Sequence, residues 1–136
     1  MNEDRAGSVS ASALPAQVGQ ERRAYDETFA YFPGPPRFER SNLVERLRSA
    51  LDGRVTAAYL LGSYARGTAH GDSDIDLIIV APTTRRWPQR AWDFADLVST
   101  FGAADVLVYT LEEWLKMNAD DHPFVATHRN EWVVIR

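Results

Sequence analysis

The sequence predicts a domain of mixed helices and strands, and three observations predict it. Leu43, Leu47 and Leu51 recur at helical spacing. Three short apolar runs, VTAAYLL (55–61), DIDLIIV (74–80) and ADVLVY (104–109), have the length and β-branched content of buried strands. A second stretch of helical periodicity lies between the second and third runs. The resulting order is α-β-loop-β-α-β-α-α-β.

Taken from the N-terminus, residues 1–38 stand apart from the rest of the chain. Ser, Ala, Gly and Gln dominate as far as Gln20, and Phe32-Pro33-Gly34-Pro35-Pro36 forms a turn-rich close. Such composition rarely builds core. A short helix is expected over residues 21–30. The segment reads either as a loose tail or as an arm that docks on a partner, the latter because of Tyr25, Phe29, Tyr31 and Phe32. From residue 39 the pattern is that of a packed domain. Ser41 is the expected cap of the first helix, with Val44 beside its leucine stripe, and Gly53 ends it. Residues 62–73 form a loop holding Gly62, Gly67 and Gly71. Pro88 suits the first position of a helix reaching Thr100, with Ala91, Phe94, Ala95, Val98 and Phe101 as its apolar stripe. Thr110 caps the next helix, with Glu113 at the capping-box position and Leu111, Trp114 and Leu115 facing inward. Asp121 caps another, with Pro123 in its first turn, and residues 132–135 form a last short strand.

Composition narrows the classes. The 136 residues carry 15 basic and 19 acidic side chains, for a net charge of −4, and 45% are hydrophobic. That suits one ordinary domain and excludes collagen-like and fully disordered chains. The absence of cysteine excludes disulfide frameworks, thiolate metal sites and cysteine nucleophiles. An acidic balance argues against direct nucleic-acid binding. All the basic residues but Lys116 are arginine, which codon bias explains. The longest apolar run, near residues 75–82, is interrupted by Asp76 and is far short of the ~20 residues of a spanning helix. No apolar stretch follows the Arg22-Arg23 pair. No membrane association is expected, and the cytoplasm is the expected compartment.

The chemistry concentrates on the second apolar run. Asp74 and Asp76 are two residues apart, so on a strand they share a face with Ile78 and Val80. Two like charges about 7 Å apart beside a hydrophobic run repel and resist burial. A divalent cation would offset both costs; a solvent-facing edge strand would avoid them. Asp105 opens the third run as Asp74 opens the second. If those strands are neighbours, three carboxylates converge, enough for two Mg²⁺ ions of the kind that serve phosphoryl or nucleotidyl transfer. Otherwise Asp105 simply faces water. Before the pair lies Leu61-Gly62-Ser63-Tyr64-Ala65-Arg66-Gly67. Gly62 allows a tight turn and close backbone approach. Ser63 offers a hydroxyl, and a short helix starting there would present amides to an anion. Arg66 could add a charge-assisted phosphate contact. Neither a P-loop nor a Gly-x-Gly-x-x-Gly fingerprint is present.

Gly62-Ser63, ten residues, then Asp74-Ile75-Asp76 is the Gly-Ser-x10-Asp-x-Asp signature. In it the chain resembles the nucleotidyltransferase superfamily that includes DNA polymerase β. The strings LGSYARG (61–67) and DSDIDL (72–77) are most similar to its minimal nucleotidyltransferase (MNT) group, and Asp105 in ADVLV matches that group's third carboxylate. The resemblance spans roughly residues 40–136. It implies an α+β nucleotidyltransferase fold, a mixed β-sheet with an α-β-α-β-α-β core, over residues 39–136. Asp74, Asp76 and Asp105 would be the catalytic, metal-binding carboxylates for two Mg²⁺ ions. Asp105 would also help deprotonate the acceptor hydroxyl. Gly62 and Ser63, and more weakly Arg66, would hold ATP. Members of this size are commonly antitoxins in heteromeric complexes with HEPN-type ribonuclease toxins. The implied activity is transfer of AMP from ATP to a toxin tyrosine, a type VII-like antitoxin. The alternatives are an adenylyltransferase acting on a small molecule of the aminoglycoside type, and an antitoxin that neutralises by binding alone. The short length favours a protein acceptor.

The remaining candidates read as structural. His70 is an exposed loop residue or a phosphate contact. His122 and His128 are six apart, off the i, i+4 spacing of a helical metal site. Ser63 has no identifiable histidine partner that would make it a nucleophile. Arg85, Arg86 and Arg90 around Trp87 read as surface before they read as a phosphate or partner site.

Overall fold

In the computed structural model, residues 33–136 are described; the expected helix over 21–30 and the arm's aromatic residues lie outside them. Five of the six residues of β2 (Ile75–Val80) are buried, because β2 is an inner strand covered on both faces. Its partner on one side is β1 (Ala57–Leu61), antiparallel, and on the other β3 (Ala104–Tyr109), parallel. A two-residue β4 (Val133–Val134) pairs antiparallel with β1, so the sheet order is β3-β2-β1-β4. The sheet is mixed, as expected, and β4 makes it four-stranded.

Alternation along β2 divides the apolar residues between two cores. Ile75, Leu77 and Ile79 pack with Leu43, Leu47 and Leu51 of the first helical segment and with Leu97 and Phe101. Ile78 and Val80 point the other way, against Leu61, Trp114 and Val125. The uninterrupted hydrophobic run therefore has a cause on each side of the sheet.

The helices depart from their sequence expectations in instructive ways. α1 (Arg40–Ala50) is capped by Glu39 rather than Ser41. The Glu39 carboxylate accepts from the Asn42 amide at 3.1 Å and from the Ser41 hydroxyl, placing a negative charge at the positive end of the helix. The loop after β1 begins with a helical turn, α2 (Gly62–Arg66), closed by Gly67 in the left-handed conformation. The helix expected from Pro88 to Thr100 is two pieces, a 3-10 segment (Trp87–Phe94) and α3 (Ala95–Phe101). Three residues per turn in the first piece shift the phase. Phe94, Leu97 and Phe101 are buried, whereas Ala95 and Val98 are exposed.

α4 (Leu111–Ala119) carries the expected Thr110–Glu113 capping box. Its inner face is nevertheless Trp114 and Met117, while Leu111 and Leu115 are exposed. The Trp114 ring sets the rotation: it lies 5.4 Å from Tyr59, 5.7 Å from Tyr109 and 5.5 Å from Trp132. α5 (Pro123–His128) is capped by His122, whose Nδ1 accepts from the Phe124 amide, and not by Asp121, which takes a positive φ of 54°. Among the described residues no helix is long and apolar enough to cross a membrane.

Glu113 also accepts both arms of the Arg90 fork, at 2.6 and 3.0 Å, which pulls its carboxyl down to about 2. A depressed carboxyl stabilises the fold above its ordinary pKa near 4.5. That contribution disappears as pH falls through about 2. Glu113→Gln should thus cost about 1 kcal/mol near neutral pH. Urea denaturation at about pH 7 and about pH 2 should show the gap between the two proteins closing in acid.

Candidate active site

Parallel pairing of β2 with β3 sets Asp76 directly opposite Asp105. Neighbouring strands lie about 4.8 Å apart, and residues paired this way put their side chains on the same face. Asp74 lies just before β2, two residues from Asp76 on a chain already held to β3 by the Ile75 amide donating to Ala103 O at 3.1 Å. All three expected carboxylates therefore gather at one end of the strand pair, Asp76 half-buried and the other two exposed.

Antiparallel pairing brings the other half of the motif to the same place. Leu61, the last residue of β1, is the partner of Asp76, and the chain turns at once into α2. Gly62 holds φ at +72°, and a Cβ added there would collide with the Asp76 carboxylate. Glycine is required twice over, by backbone conformation and by the approach of Asp76. Ser63 follows, its carbonyl occupied by the Gly67 and Thr68 amides and its hydroxyl without a hydrogen bond among the described residues. Tyr64 turns inward and is buried.

Arg66 ends the turn as the cation that opposes the charge on Asp76, and it also pairs with Glu131 at 3.5 Å. Glu131 in turn meets His128 Nδ1 at 3.0 Å. Neither Arg37 nor Glu131 stands out in the sequence. Arg37 opposes the charge on Asp74. By composition it belongs to the arm, and Glu131 lies in a stretch without a motif. No spacing rule brings either to the site.

Electrostatics reflects the crowding. Burial raises the Asp76 carboxyl to about 7, reinforced by the charges of Asp105 and Asp74 and by hydrogen bonding with Asp105. Burial and Asp105 also raise Asp74. A group of carboxylates short of positive charge is a donor set that suits a hard divalent cation. Among the described residues, no three His, Cys, Asp or Glu side chains close around a single point as a metal cage would. Mg²⁺ does not need that, since it is ordinarily bound by one or two carboxylates, with phosphates and water completing its shell.

The secondary candidates fall outside this cluster. His70 Nδ1 accepts from the Asp72 amide within its own loop. Arg85 pairs with Asp93 and Arg90 with Glu113. A cavity of about 360 Å³, walled by Trp87, Tyr109, Glu113 and Met117, lies by the far end of β3. Tyr109 is four strand positions from Asp105, about 13 Å.

Comparison with known proteins gives a direct match for residues 40–128 to the nucleotidyltransferase domain. A curated relative, the mitochondrial serine/threonine-protein phosphatase PGAM5 of Xenopus laevis, is 33% identical over 81 residues. That match takes in 59% of this chain, and the chain spans only 29% of the relative's length. Three solved structures are similar in part. A protein of Sulfolobus solfataricus, described as a candidate nucleotidyltransferase, is 17% identical with a TM-score of 0.40, over 80% of this chain and 83% of that one. A toxin-antitoxin with AMP-PNP is 30% identical with a TM-score of 0.37, over 55% and 59%. A mutant toxin-antitoxin MntA-HpeT is 23% identical with a TM-score of 0.42, over 73% of each chain. The family assignment rests on the domain match.

Two measurements check the site's geometry. A raised carboxyl weakens the metal-free fold as pH climbs from its ordinary value near 3.8 through about 7. Asp76→Asn should thus be more stable than the parent at about pH 8 without divalent cations, by about 2 kcal/mol in urea denaturation, and should match it near pH 4. Gly62→Ala should be costly alone, by about 2–4 kcal/mol, and markedly less so in an Asp76→Ala background, a coupling that a double-mutant cycle reads directly.

Proposed function

The chain belongs to the nucleotidyltransferase domain family, and we propose that it transfers AMP from ATP to a hydroxyl of a partner protein, with Mg²⁺ held by Asp74, Asp76 and Asp105. The observation that carries this reading is the register of β2 on β3, which sets Asp76 beside Asp105 while Gly62 packs on the Asp76 carboxylate. The half of the motif that would touch phosphates and the half that would touch metal are thereby in contact.

Bound Mg²⁺ supplies neutralisation of the triphosphate and of the charge that develops as the bond to pyrophosphate breaks. The chain's own groups do the rest. Gly62 lets the triphosphate approach the backbone closely, and Ser63 offers it a hydroxyl free of other partners among the described residues. Arg66, which meets Glu131 only at 3.5 Å, turns from it to a phosphate oxygen when the nucleotide binds. Asp105, exposed at the rim, accepts the proton of the acceptor hydroxyl. The acceptor oxygen then bonds to the α-phosphorus, the bond from that phosphorus to the bridging oxygen of the β-phosphate breaks, and pyrophosphate leaves.

The acceptor we infer is a tyrosine of a HEPN-type ribonuclease toxin, which makes the chain an antitoxin of the type VII kind, acting in the cytoplasm where ATP is supplied. What supports this finer reading is the string LGSYARG with DSDIDL, similar in pattern to the minimal nucleotidyltransferases.

Incubation of the full chain with α-labelled ATP, Mg²⁺ and the product of the neighbouring gene should move label onto that protein. Asp76→Ala should slow the transfer by about 100-fold or more, and EDTA should abolish it. Absence of label, with toxin neutralisation intact in the Asp74→Ala/Asp76→Ala protein, would establish an antitoxin that works by binding.

A further inference from the structure

Arg37 precedes α1 and reaches two segments that are far from it in sequence. Its Nη1 donates to the carbonyl of Phe101 at 2.7 Å and its Nη2 to the carbonyl of Ser73 at 3.3 Å. Ser73 is the residue before Asp74, and Phe101 ends α3, four residues before Asp105. One guanidinium thus spans the two stretches of backbone that deliver two of the three carboxylates.

The surroundings are shaped to keep it there. Gly102 has φ of +89°, and a Cβ on it would run into Arg37 Nη1. The guanidinium lies 5.3 Å from the centre of the Phe38 ring, and Phe38 packs against Phe101 and Tyr64. The Gly34 carbonyl accepts from the Gly71 amide at 3.0 Å, in the same loop that leads to Asp74. Residues 34–38 therefore bind both segments from outside. An ammonium could not replace the fork, because Lys carries its donors on one nitrogen, whereas Arg presents two nitrogens in fixed directions.

We propose that Arg37 is a positioning residue: by bridging the Ser73 and Phe101 carbonyls it fixes the separation of Asp74 from Asp105 and thereby sets the site's affinity for a divalent cation. This rests on the metal-dependent reading of the site given above. Carboxylates must be held to within about half an ångström for a metal site to keep its affinity. The covalent link is no help here, since Asp74, just before β2, and Asp105, on β3, are joined only through β2, the 3-10 segment and α3.

The test uses the full chain with Mn²⁺ as the probe, titrated by calorimetry, and follows amide hydrogen exchange without metal. Arg37→Met keeps the aliphatic stem over Phe38 and removes every donor. It should weaken Mn²⁺ binding about tenfold or more and speed exchange at residues 70–75 and 101–105 together, leaving 57–61 at the parent rate. Arg37→Lys should fail to restore Mn²⁺ affinity. Unchanged Mn²⁺ affinity in Arg37→Met, full rescue by Lys, or faster exchange in only one of the two segments would overturn the proposal. If the parent itself binds no Mn²⁺ while Arg37→Met still loosens both segments together, the bridge stands and the metal-dependent reading is what fails.

Discussion

The carboxylate of Asp76 is the point on which the rest of the site depends. It lies on the face of β2 that continues into the Ile78 and Val80 core, it faces Asp105 across a parallel pairing, and Gly62 is pressed against it. Each neighbour constrains it differently. The core denies it water, Asp105 denies it a free negative charge, and a side chain at the position after β1 would run into it. The result is a carboxyl whose pKa is lifted to about 7. A chain that kept this arrangement with no cation to meet it would forgo stability for nothing, which is the physical reason for reading the cluster as a site.

The two-core sheet makes such an arrangement possible. Because β2 is an inner strand, its end is held by hydrogen bonds on both sides and cannot splay to relieve the repulsion. α1, α3 and the Phe38 ring close one face, and Trp114, Trp132 and Val125 close the other. The acidic rim is then the one part of β2 left near water. The cap at Thr110, with Glu113 joined to Arg90, secures the opposite end of β3 to the 3-10 segment. The strand that carries Asp105 is thus anchored far from the charge it presents.

Where the helices differed from expectation, a tertiary contact overrode a local signal. Leu111 and Leu115 have ideal helical spacing, yet the aromatic cluster around Trp114 turned them outward. Ala95 and Val98 fitted one long helix, and the tighter winding after Trp87 moved them off the core. Glu39 took the capping role that Ser41 was suited for, because α1 starts at Arg40 and leaves Ser41 inside its first turn. Periodicity reports which residues could share a face; only packing selects the face that is buried.

From the sequence alone came the candidate chemistry-bearing set and most of the order of the elements, but not the helical turn after β1 or the break of the 88–100 helix. Gly62-Ser63 with Asp74 and Asp76 is a local pattern, and strand alternation predicted the two aspartates on one side, although β2 begins only at Ile75 and leaves Asp74 just before it. Asp105 was legible as the opening of another strand and, by resemblance, as a third carboxylate. That it stands opposite Asp76 was decided by the parallel register of β2 and β3, which no local rule specifies. The same holds for the collision that makes Gly62 obligatory, and for Arg37, whose two carbonyl partners lie 36 and 64 residues away. Bond rotations and side-chain spacing are properties of short segments, so they can be read from letters. The meeting of distant segments depends on how two cores close around one sheet, and only the folded chain sets that.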